Sequence, residues 1–457
     1  MRLIRVFALV VFLAFPAMSQ TEAPKTAPTP DERFKADTLL IVAHPDDETG
    51  VSALLAQLLD QGKHVAVVYL TRGEAGHNNM GPERGPSLGA VREMELRHSL
   101  TQLGVQNVWF LGGKDTPSQD VRQSLANWQH GARLEEVVRM VRLTRPYVII
   151  TWLPGFFIGE NHGDHQAAGV IATEAFDMAG DPSIFPAQIA QARKVNETWL
   201  EGLSAWQPEK IYYFSDANDD KQFKGKGPEY STTAISSTRK MPYWRIAMDE
   251  FRFHRTQYRS YIEKLDSMNE AQLTKLASAD QDGWDGPVRL IFGKSNVSSN
   301  ATEDIFAAVK PNGVEFMRPQ SSQPAAHPGL SVSIGGPWEF YDNFRRAHAL
   351  ENLPRAEVPE ISIAAGTTLQ VPLVLRNDTN DSADISLAVA LPEGWTRKDT
   401  PRSYRLSQGE TAPILIELTP ANKSDKITEL NFEASTEKGK IGAVHIRVRV
   451  GSGGLPE

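Results

Sequence analysis

Apolar runs alternate with amphipathic segments along the first third of the chain. Short, continuous apolar runs rich in β-branched residues are typical of strands buried in a parallel sheet, and they occupy residues 38–43, 64–71, 107–113 and 146–152. Apolar residues at helical spacing occupy residues 48–61, 90–103 and 131–144. This alternation predicts an α/β fold with a doubly wound, mostly parallel sheet.

The later chain follows a different pattern. Between 180 and 345 the signals are weaker: residues 245–264 predict a helix, 288–293 a strand and 312–337 irregular structure. Residues 351–457 contain short alternating runs separated by turn signals. Such a pattern is typical of a small antiparallel β-sandwich, so a second domain is expected there.

The N-terminus has the features of a targeting segment. Arg2 and Arg5 precede an apolar run over residues 6–15, and small residues follow at 17–19. This predicts a signal peptide over residues 1–19 and a secreted or periplasmic protein without a membrane span after cleavage; an uncleaved anchor is the alternative. Residues 20–36 are rich in Pro, Thr and Ala, which favours a flexible tether.

Composition narrows the choice of partners. The 457 residues are 40% hydrophobic and 23% charged, with a net charge of −8. An acidic balance argues against nucleic acid as the main partner. The chain has no cysteine, so any metal site must use His, Asp or Glu.

Polar residues gather where the predicted strands end. His44, Asp46 and Asp47 follow the first strand, Glu74 the second and Asp115 the third, and the fourth leads to a loop with His162, Asp164 and His165. Ligands of open α/β sheets bind outside the carboxyl ends of the strands. We therefore expect these four segments to meet at one edge of the sheet.

The spacing of these residues suits a catalytic metal. His44 and Asp47 are three residues apart on a tight loop, and so are His162 and His165. A site with two histidines and one carboxylate needs only one of the second pair. Asp46 and the other histidine then serve proton transfer and charge stabilisation. Catalytic zinc commonly takes such ligands, and iron, cobalt or manganese would also accept them.

Residues 85–89 match the pattern G-x-S-x-G of serine hydrolases. A nucleophile elbow requires a strand directly before the serine and a helix directly after it. A loop precedes Ser87, so the sequence argues against a serine hydrolase.

Two motifs identify a family resemblance. AHPDDE (43–48) and HGDH (162–165), supported by TRGEAG (71–76), FLGGKD (110–115) and the pair Arg92/Glu95, make the chain resemble the PIG-L/LmbE-like family of zinc-dependent N-acetylglucosaminyl deacetylases. The likeness spans residues 37 to about 260. It implies a Rossmann-like catalytic domain, which we place at 37–345.

The resemblance also implies roles for individual residues. His44, Asp47 and His165 would hold zinc. Asp46 would act as general base on the attacking water, and His162 would stabilise the oxyanion. Asp164 would orient a histidine.

Other positions are expected near the substrate. The resemblance implies that Arg92 binds substrate, and Glu74 and Asp115 are expected to contact sugar hydroxyls or support a loop. His254, from the motif 254–257, is expected either to line the site or to be structural. Glu48 is expected to serve the N-terminus of the first helix. Trp152, Phe156 and Phe157 are expected either to stack on a sugar or to pack.

The sequence thus predicts an exported zinc-dependent hydrolase that removes the N-acetyl group from an N-acetylated amino sugar or sugar conjugate. A catalytically silent sugar-binding or envelope protein is one alternative, and an amidase acting on another small amide is a second. The C-terminal sandwich is expected to be a packing domain or to contact carbohydrate or the cell surface.

Overall fold

The structure is a computed structural model. It describes residues 31–155, 162–192, 197, 199–217, 223–279, 283–318, 329–356, 358–420 and 424–451. The predicted signal peptide, residues 20–30 of the predicted tether, and Phe156 and Phe157 lie outside the described residues. Residues 31–36 include a short 3-10 turn, Glu32–Phe34, and Ala36 is fully buried.

The described strands and helices are as follows. The strands are β1 (Thr38–Val42), β2 (Val65–Tyr69), β3 (Asn107–Phe110), β4 (Val148–Trp152), β5 (Lys210–Phe214), β6 (Glu229–Tyr230), β7 (Val288–Arg289), β8 (Ile291–Ser295), β9 (Leu330–Ile334), β10 (Glu360–Ala364), β11 (Leu369–Asn377), β12 (Ala383–Ala390), β13 (Thr396–Arg397), β14 (Ser403–Leu406), β15 (Thr411–Thr419), β16 (Ser424–Thr436) and β17 (Gly439–Gly451). The α-helices are α1 (Ser52–Asp60), α2 (Pro86–Leu103), α3 (Val121–Asn127), α4 (His130–Thr144), α5 (Gly163–Met178), α6 (Tyr243–Phe251), α7 (Arg255–Asp266), α8 (Glu270–Ala277) and α9 (Pro337–Ala347).

A six-stranded sheet forms the centre of the N-terminal part, in the order β3-β2-β1-β4-β5-β8. Strands β1 to β5 run parallel, and β8 is antiparallel to β5. β1, β2, β4 and β5 are buried along their whole length, as their continuous apolar sequences require. The predicted α/β fold with a mostly parallel sheet is confirmed.

The strand order reverses between β1 and β4. At such a switch point the connections leave the strands in opposite directions and open a crevice at their carboxyl ends. His44 and Asp47 follow β1 at this point, and α5 follows β4 with His165 in its first turn. The topology therefore brings the two specific motifs together.

A glycine lets α5 approach the end of β4 closely. A Cβ on Gly169 would lie 2.3 Å from the carbonyl oxygen of Trp152 and 2.8 Å from the backbone nitrogen of Pro154. One turn earlier on the same helix, His165 stacks on the indole of Trp152, with ring centroids 4.0 Å apart and planes 2° from parallel. The glycine thus helps to set the position of a predicted metal ligand.

The C-terminal part is a β-sandwich. One sheet has the order β10-β17-β16-β12-β14 and the other β13-β15-β11-β9. All pairs are antiparallel except β10 with β17. Alternate residues of both sheets, among them Val371, Ile416 and Phe432, fill one common core, which is the arrangement expected of two packed sheets. The predicted antiparallel domain is confirmed.

The two parts share elements at their junction. β9 lies in the range assigned to the catalytic domain, but it pairs with β11 of the sandwich. A Cβ on Gly155, after β4, would lie within 2.4 Å of the Tyr341 ring in α9. The side chain of Gln119 donates to the Ser362 carbonyl at 3.1 Å. The domain boundaries drawn from the sequence stay a prediction.

Two local predictions differ from the structure, and one strand of the central sheet was missed. The helix expected over 245–264 is two helices, α6 and α7, separated at 252–254, where His254 turns inward to buried carboxylates. The region 312–337 was expected to be irregular but includes β9. β5 was not predicted. Within the described residues, none of the helices combines the length and apolar character needed to cross a membrane.

The close approach of α5 to β4 predicts the effect of a single methyl group. Gly169→Ala should lower the melting temperature, because the new Cβ meets backbone atoms that cannot turn away; overpacking of this kind typically costs about 1–3 kcal/mol. Differential scanning calorimetry measures the change.

Gly131→Ala is the matched control. Gly131 lies in the first turn of α4 with nothing within 4 Å of an added Cβ, and alanine is the better helix former by up to about 1 kcal/mol. An unchanged melting temperature for Gly169→Ala would contradict the close packing of α5 against the end of β4.

Candidate active site

A cavity of about 370 Å³ opens at the carboxyl edge of the first sheet. Its lining comprises His44, Asp46, Asp47, Thr49, Ala75, Gly76, His77, Arg92, Asp115, Pro117, Trp152, His162, His165, Asp216, Gln257 and Tyr258. Seven of the ten residues predicted for the site are among them. Glu74, Asp164 and His254 lie behind this lining.

Asp47 is held between the end of β1 and two imidazoles. Its Oδ2 accepts hydrogen bonds from the backbone N–H groups of Ala43 at 2.8 Å and His44 at 3.0 Å. The Trp152 indole N–H donates to the same oxygen at 2.6 Å. The other oxygen, Oδ1, lies 3.5 Å from His44 Nδ1 and 3.2 Å from His165 Nε2. One carboxylate oxygen and two imidazole nitrogens therefore converge.

The two separations from the Asp47 oxygen suit a divalent cation. Ligand atoms about 2.0–2.1 Å from a tetrahedral ion lie about 3.3 Å from one another. The two separations from Asp47 Oδ1, 3.5 and 3.2 Å, are close to that value. A donor set of two imidazole nitrogens and one carboxylate oxygen is also typical of catalytic zinc.

Carboxylates behind His44 orient its ring. His44 Nε2 lies 3.2 Å from Asp115 Oδ1 and 3.4 Å from Asp164 Oδ2, and both carboxylates also accept a backbone N–H at 2.8 Å. Metal-binding histidines usually donate their second N–H to such a partner. Glu74 Oε1 accepts the Asp115 N–H at 3.1 Å, so Glu74 braces this loop.

Trp152 acts on the site through its neighbours. Its indole N–H holds Asp47, its ring stacks on His165, and its side chain is 1% exposed. Of the two expectations for Trp152, packing is therefore the one that the structure shows.

Neighbouring charges offset the desolvation of the ionisable groups that are buried around the cavity. Burial would raise the pKa of Asp47, but His165 and His44 hold that pKa well below its usual value. Burial would lower the pKa of His44, yet Asp115 and Asp47 raise it well above its usual value. Burial also opposes the ionisation of Asp115, and His44 holds its pKa below the usual range. A divalent cation that replaced the imidazole protons would face the same ionised carboxylates.

Asp46 has a different environment from Asp47. Its backbone has a φ of 121°, a conformation rarely adopted by residues other than glycine. Its N–H donates to Glu48 Oε2 at 3.0 Å, and its Oδ2 pairs with Arg92 Nη2 at 3.0 Å. Burial raises the pKa of Asp46 to about 6, although Arg92 opposes the shift. A carboxylate of raised basicity on the cavity wall is suited to accept a proton.

Arg92 is almost wholly enclosed. Its side chain donates to the carbonyls of Gly73 at 2.8 Å and Pro45 at 2.7 Å, besides pairing with Asp46. Gly73 has a φ of 64°, and a Cβ there would lie 2.1 Å from Arg92 Nη1. The loop after β2 is thus built around the guanidinium, which still forms part of the cavity wall.

His162 is a neutral donor. It caps the N-terminus of α5, where its Nδ1 accepts the Asp164 N–H at 3.2 Å. Burial, with His44 and His165 nearby, holds the pKa of His162 well below its usual value. Because Nδ1 accepts, the single ring proton of the neutral imidazole is on Nε2.

A buried charge cluster, Glu48–Glu250–His254, lies behind Asp46. His254 Nε2 is 2.8 Å from Glu48 Oε1 and 3.4 Å from Glu250 Oε1, and all three residues are at most 1% exposed. The Tyr69 hydroxyl donates to Glu48 Oε2 at 2.8 Å. The same Glu48 oxygen accepts the Asp46 N–H. The cluster therefore fixes the strained backbone of Asp46.

This cluster bears on two predictions. Glu48 was expected to serve the N-terminus of the first helix. Its carboxylate does accept the N–H of Asp46, the residue before the 3-10 turn Asp47–Gly50 that leads into α1, and it also contacts Tyr69 and His254. His254 lies behind the cavity. Burial would lower the pKa of His254, but Glu48 and Glu250 raise it well above its usual value.

Several cavity residues were not predicted from the sequence. Asp216 follows β5, and its place at a strand end was hidden because β5 itself was not predicted. Gln257 and Tyr258 lie near the start of α7. Gln257 belongs to the motif 254–257, in which only His254 was given a role. Gln257 donates to the His77 carbonyl at 2.6 Å and so fixes the loop after β2.

Comparison with known proteins finds a family profile, relatives and a solved structure that are similar to this chain. The profile of the family described as PIG-L, GlcNAc-PI de-N-acetylase, matches residues 39–176. A 1D-myo-inositol 2-acetamido-2-deoxy-alpha-D-glucopyranoside deacetylase from Thermobifida fusca is 30% identical over 243 residues, which are 48% of this chain and 82% of the relative. A relative of the same name from Streptomyces scabiei is 34% identical over 187 residues, 36% of this chain and 57% of the relative. The structure of an N,N′-diacetylchitobiose deacetylase from Pyrococcus horikoshii, 21% identical, aligns with a TM-score of 0.38 over 56% of this chain and 83% of its own.

The buried charge cluster predicts that removing the positive charge of His254 strongly lowers the free energy of unfolding. His254→Ala leaves two facing carboxylates, Glu48 and Glu250, without a compensating charge, and breaking a buried pair typically costs about 3–5 kcal/mol. Chemical denaturation monitored by circular dichroism measures this loss.

His64→Ala is the control, because the side chain of His64 is 77% exposed and lies 3.8 Å from Asp37. A change of at most about 0.5 kcal/mol is expected there. Equal effects of the two substitutions would contradict the role given to the cluster.

Proposed function

The chain belongs to the PIG-L family of de-N-acetylases, and we propose that it hydrolyses the N-acetyl group of an N-acetylated amino sugar or sugar conjugate and releases acetate. Its relatives are named as deacetylases of an acetamido sugar linked to inositol. The observation that carries the proposal is the convergence of Asp47 Oδ1, His44 Nδ1 and His165 Nε2 beside Asp46 in one cavity.

His44, Asp47 and His165 would hold the metal ion. Zinc is the proposed ion, and the same ligands would accept iron, cobalt or manganese. When bound, such an ion supplies a Lewis acid that polarises the amide carbonyl and makes a water more acidic. Asp115 and Asp164 keep His44 in the required orientation, and Trp152 does the same for Asp47 and His165.

Asp46 would take the proton of the attacking water. Its carboxylate lines the cavity, and Arg92 and Glu48 fix its side chain and its backbone. The same carboxyl group, once protonated, can deliver the proton to the leaving nitrogen as the C–N bond breaks. The products are acetate and the free amine.

His162 would stabilise the oxygen of the tetrahedral intermediate. Its Nδ1 accepts the Asp164 N–H, which places the ring proton of the neutral imidazole on Nε2. A preorganised donor aimed at a developing oxyanion is typically worth about 10²–10³ in rate.

We also propose that the protein is exported. Arg2, Arg5 and the apolar run 6–15 support a signal peptide. Expression in a bacterial host should yield a mature periplasmic or secreted chain whose N-terminal sequence begins near Gln20. A chain that retains Met1 and stays in the cytoplasm would contradict export.

Asp46→Asn should abolish turnover and leave metal binding intact, because the amide keeps the shape of the side chain but cannot take up a proton. Acetate release from N-acetylglucosamine derivatives and metal content by mass spectrometry are measured on the same preparation. A loss of about 10²–10⁴ in kcat is expected for a general base.

Asp384→Asn is the matched control, since Asp384 is a largely exposed aspartate in the sandwich that pairs with Arg405. It should turn over like the native protein. Near-normal turnover by Asp46→Asn would rule out this mechanism, and loss of the metal would place Asp46 among the ligands.

A further inference from the structure

Helix α5 carries residues of the proposed metal site in its first turn. His162 is its N-cap, and Asp164 and His165 follow directly. The helix has 16 residues and so spans about 24 Å. A small rotation of such a long helix about its far end moves His165 relative to Asp47 and His44. The contacts that hold the two ends of α5 therefore contribute to the position of a proposed metal ligand.

A buried group of charged side chains holds the far end of α5. Asp177, in the last turn of the helix, is 6% exposed. Its carboxylate pairs with Lys294 of β8, and its Oδ2 lies 2.7 Å from His348 Nδ1. The Lys294 ammonium also donates to the His348 carbonyl at 2.9 Å. Because His348 directly follows α9, the end of α5 is tied to the helix that lies between β9 and β10 in the chain.

Helix α9 belongs to the cores of both parts of the protein. Phe344 is a member of the N-terminal core, and its ring centroid lies 4.3 Å from that of His348. Trp338, near the start of the helix, packs against the core of the sandwich. The neighbouring Glu339 pairs with Arg376 of β11. The sandwich therefore fixes α9, and α9 in turn fixes the end of α5.

The sandwich also reaches the start of α5. The Ser118 carbonyl accepts the N–H of Gly163, the first residue of α5, at 2.7 Å. The next residue, Gln119, donates its side-chain N–H to the Ser362 carbonyl at 3.1 Å. Ser362 lies in β10, which is an edge strand of the sandwich. Both ends of α5 are thus connected to the C-terminal part.

We propose that the sandwich and α9 position the metal site by holding α5 at both ends, and that His348 and Gln119 are positioning residues for His165. The inference rests on the metal site of the proposed function. It gives the C-terminal part a role in the active site in place of that of a spacer. Because these contacts lie outside the cavity, their loss changes how well His165 meets the ion and leaves the ligands themselves in place.

His348→Ala separates α9 from Asp177 and tests the far end of α5. It should weaken zinc binding about 3- to 30-fold, the range typical of changes that act on a site through packed elements, with a similar fall in kcat/KM. Competition with a chromophoric chelator measures the zinc affinity of the full chain. His348→Asn offers an amide N–H in place of the Nδ1–H, so it should restore most of the affinity.

Gln119→Leu tests the other end of α5 and keeps the proposal testable if His348→Ala fails to fold. It removes the hydrogen bond to β10 and should weaken zinc binding at least about twofold. Gln370→Leu is the matched control, because Gln370 is an exposed glutamine of β11 whose side chain contacts Glu417 of the same sheet. It should bind zinc like the native protein.

Ile385→Val separates positioning from stability. Ile385 is fully buried in the core of the sandwich. Removing one of its methylene groups should lower the melting temperature but leave the zinc affinity of the folded protein unchanged. The melting temperature of each variant is measured without metal, so that the two effects are compared on the same preparations.

The outcomes separate this proposal from the proposed function. Weaker zinc binding by His348→Ala and Gln119→Leu, with native affinity in Ile385→Val, supports positioning even if the native protein releases no acetate; that result would overturn the proposed function alone. Native zinc affinity in both junction variants overturns positioning. An equal loss of affinity in Ile385→Val also overturns it, because the sandwich would then contribute stability only. A native chain that binds no zinc overturns both proposals.

Discussion

The two oxygens of the Asp47 carboxylate contact different groups, and the geometry of the rest of the site depends on this difference. Three N–H donors, from the end of β1 and from Trp152, occupy Oδ2 and fix the plane of the carboxylate. Oδ1 is left facing His44 Nδ1 and His165 Nε2. Because the donors come from β1 and β4, adjacent strands at the switch point of the sheet, the fold itself sets the geometry of the proposed metal ligands.

Behind this carboxylate the charges form two groups with separate tasks. Asp115 and Asp164 orient His44, which is a proposed ligand. The buried charge cluster supports Asp46, whose positive φ must be held by its surroundings. Buried carboxylates are costly unless a positive charge lies beside them. His254 supplies that charge for the cluster and Arg92 supplies it for Asp46. A metal ion would supply it for Asp47.

The sequence predicted the sheet and the convergence of its strand ends, because continuous apolar runs and their order determine both. It also predicted seven of the cavity residues, six of which follow those runs or lie in AHPDDE or HGDH, whereas Arg92 belongs to a supporting motif of the family. It could not show that Glu48, which accepts the Asp46 N–H, also pairs with His254, because His254 lies about 200 residues later in the chain. Asp216 was not predicted because it follows β5, which lies in the region where the strand and helix signals of the sequence are weak.

The proposed chemistry depends on a single cation between His44, Asp47 and His165. Its most direct test is a crystal structure of the metal-loaded protein with anomalous data collected on both sides of the zinc absorption edge. We predict one anomalous peak per chain, within about 2.0–2.2 Å of His44 Nδ1, Asp47 Oδ1 and His165 Nε2. A peak at Glu48, Glu250 and His254, or metal-loaded crystals without a peak at the three ligands, would contradict the account.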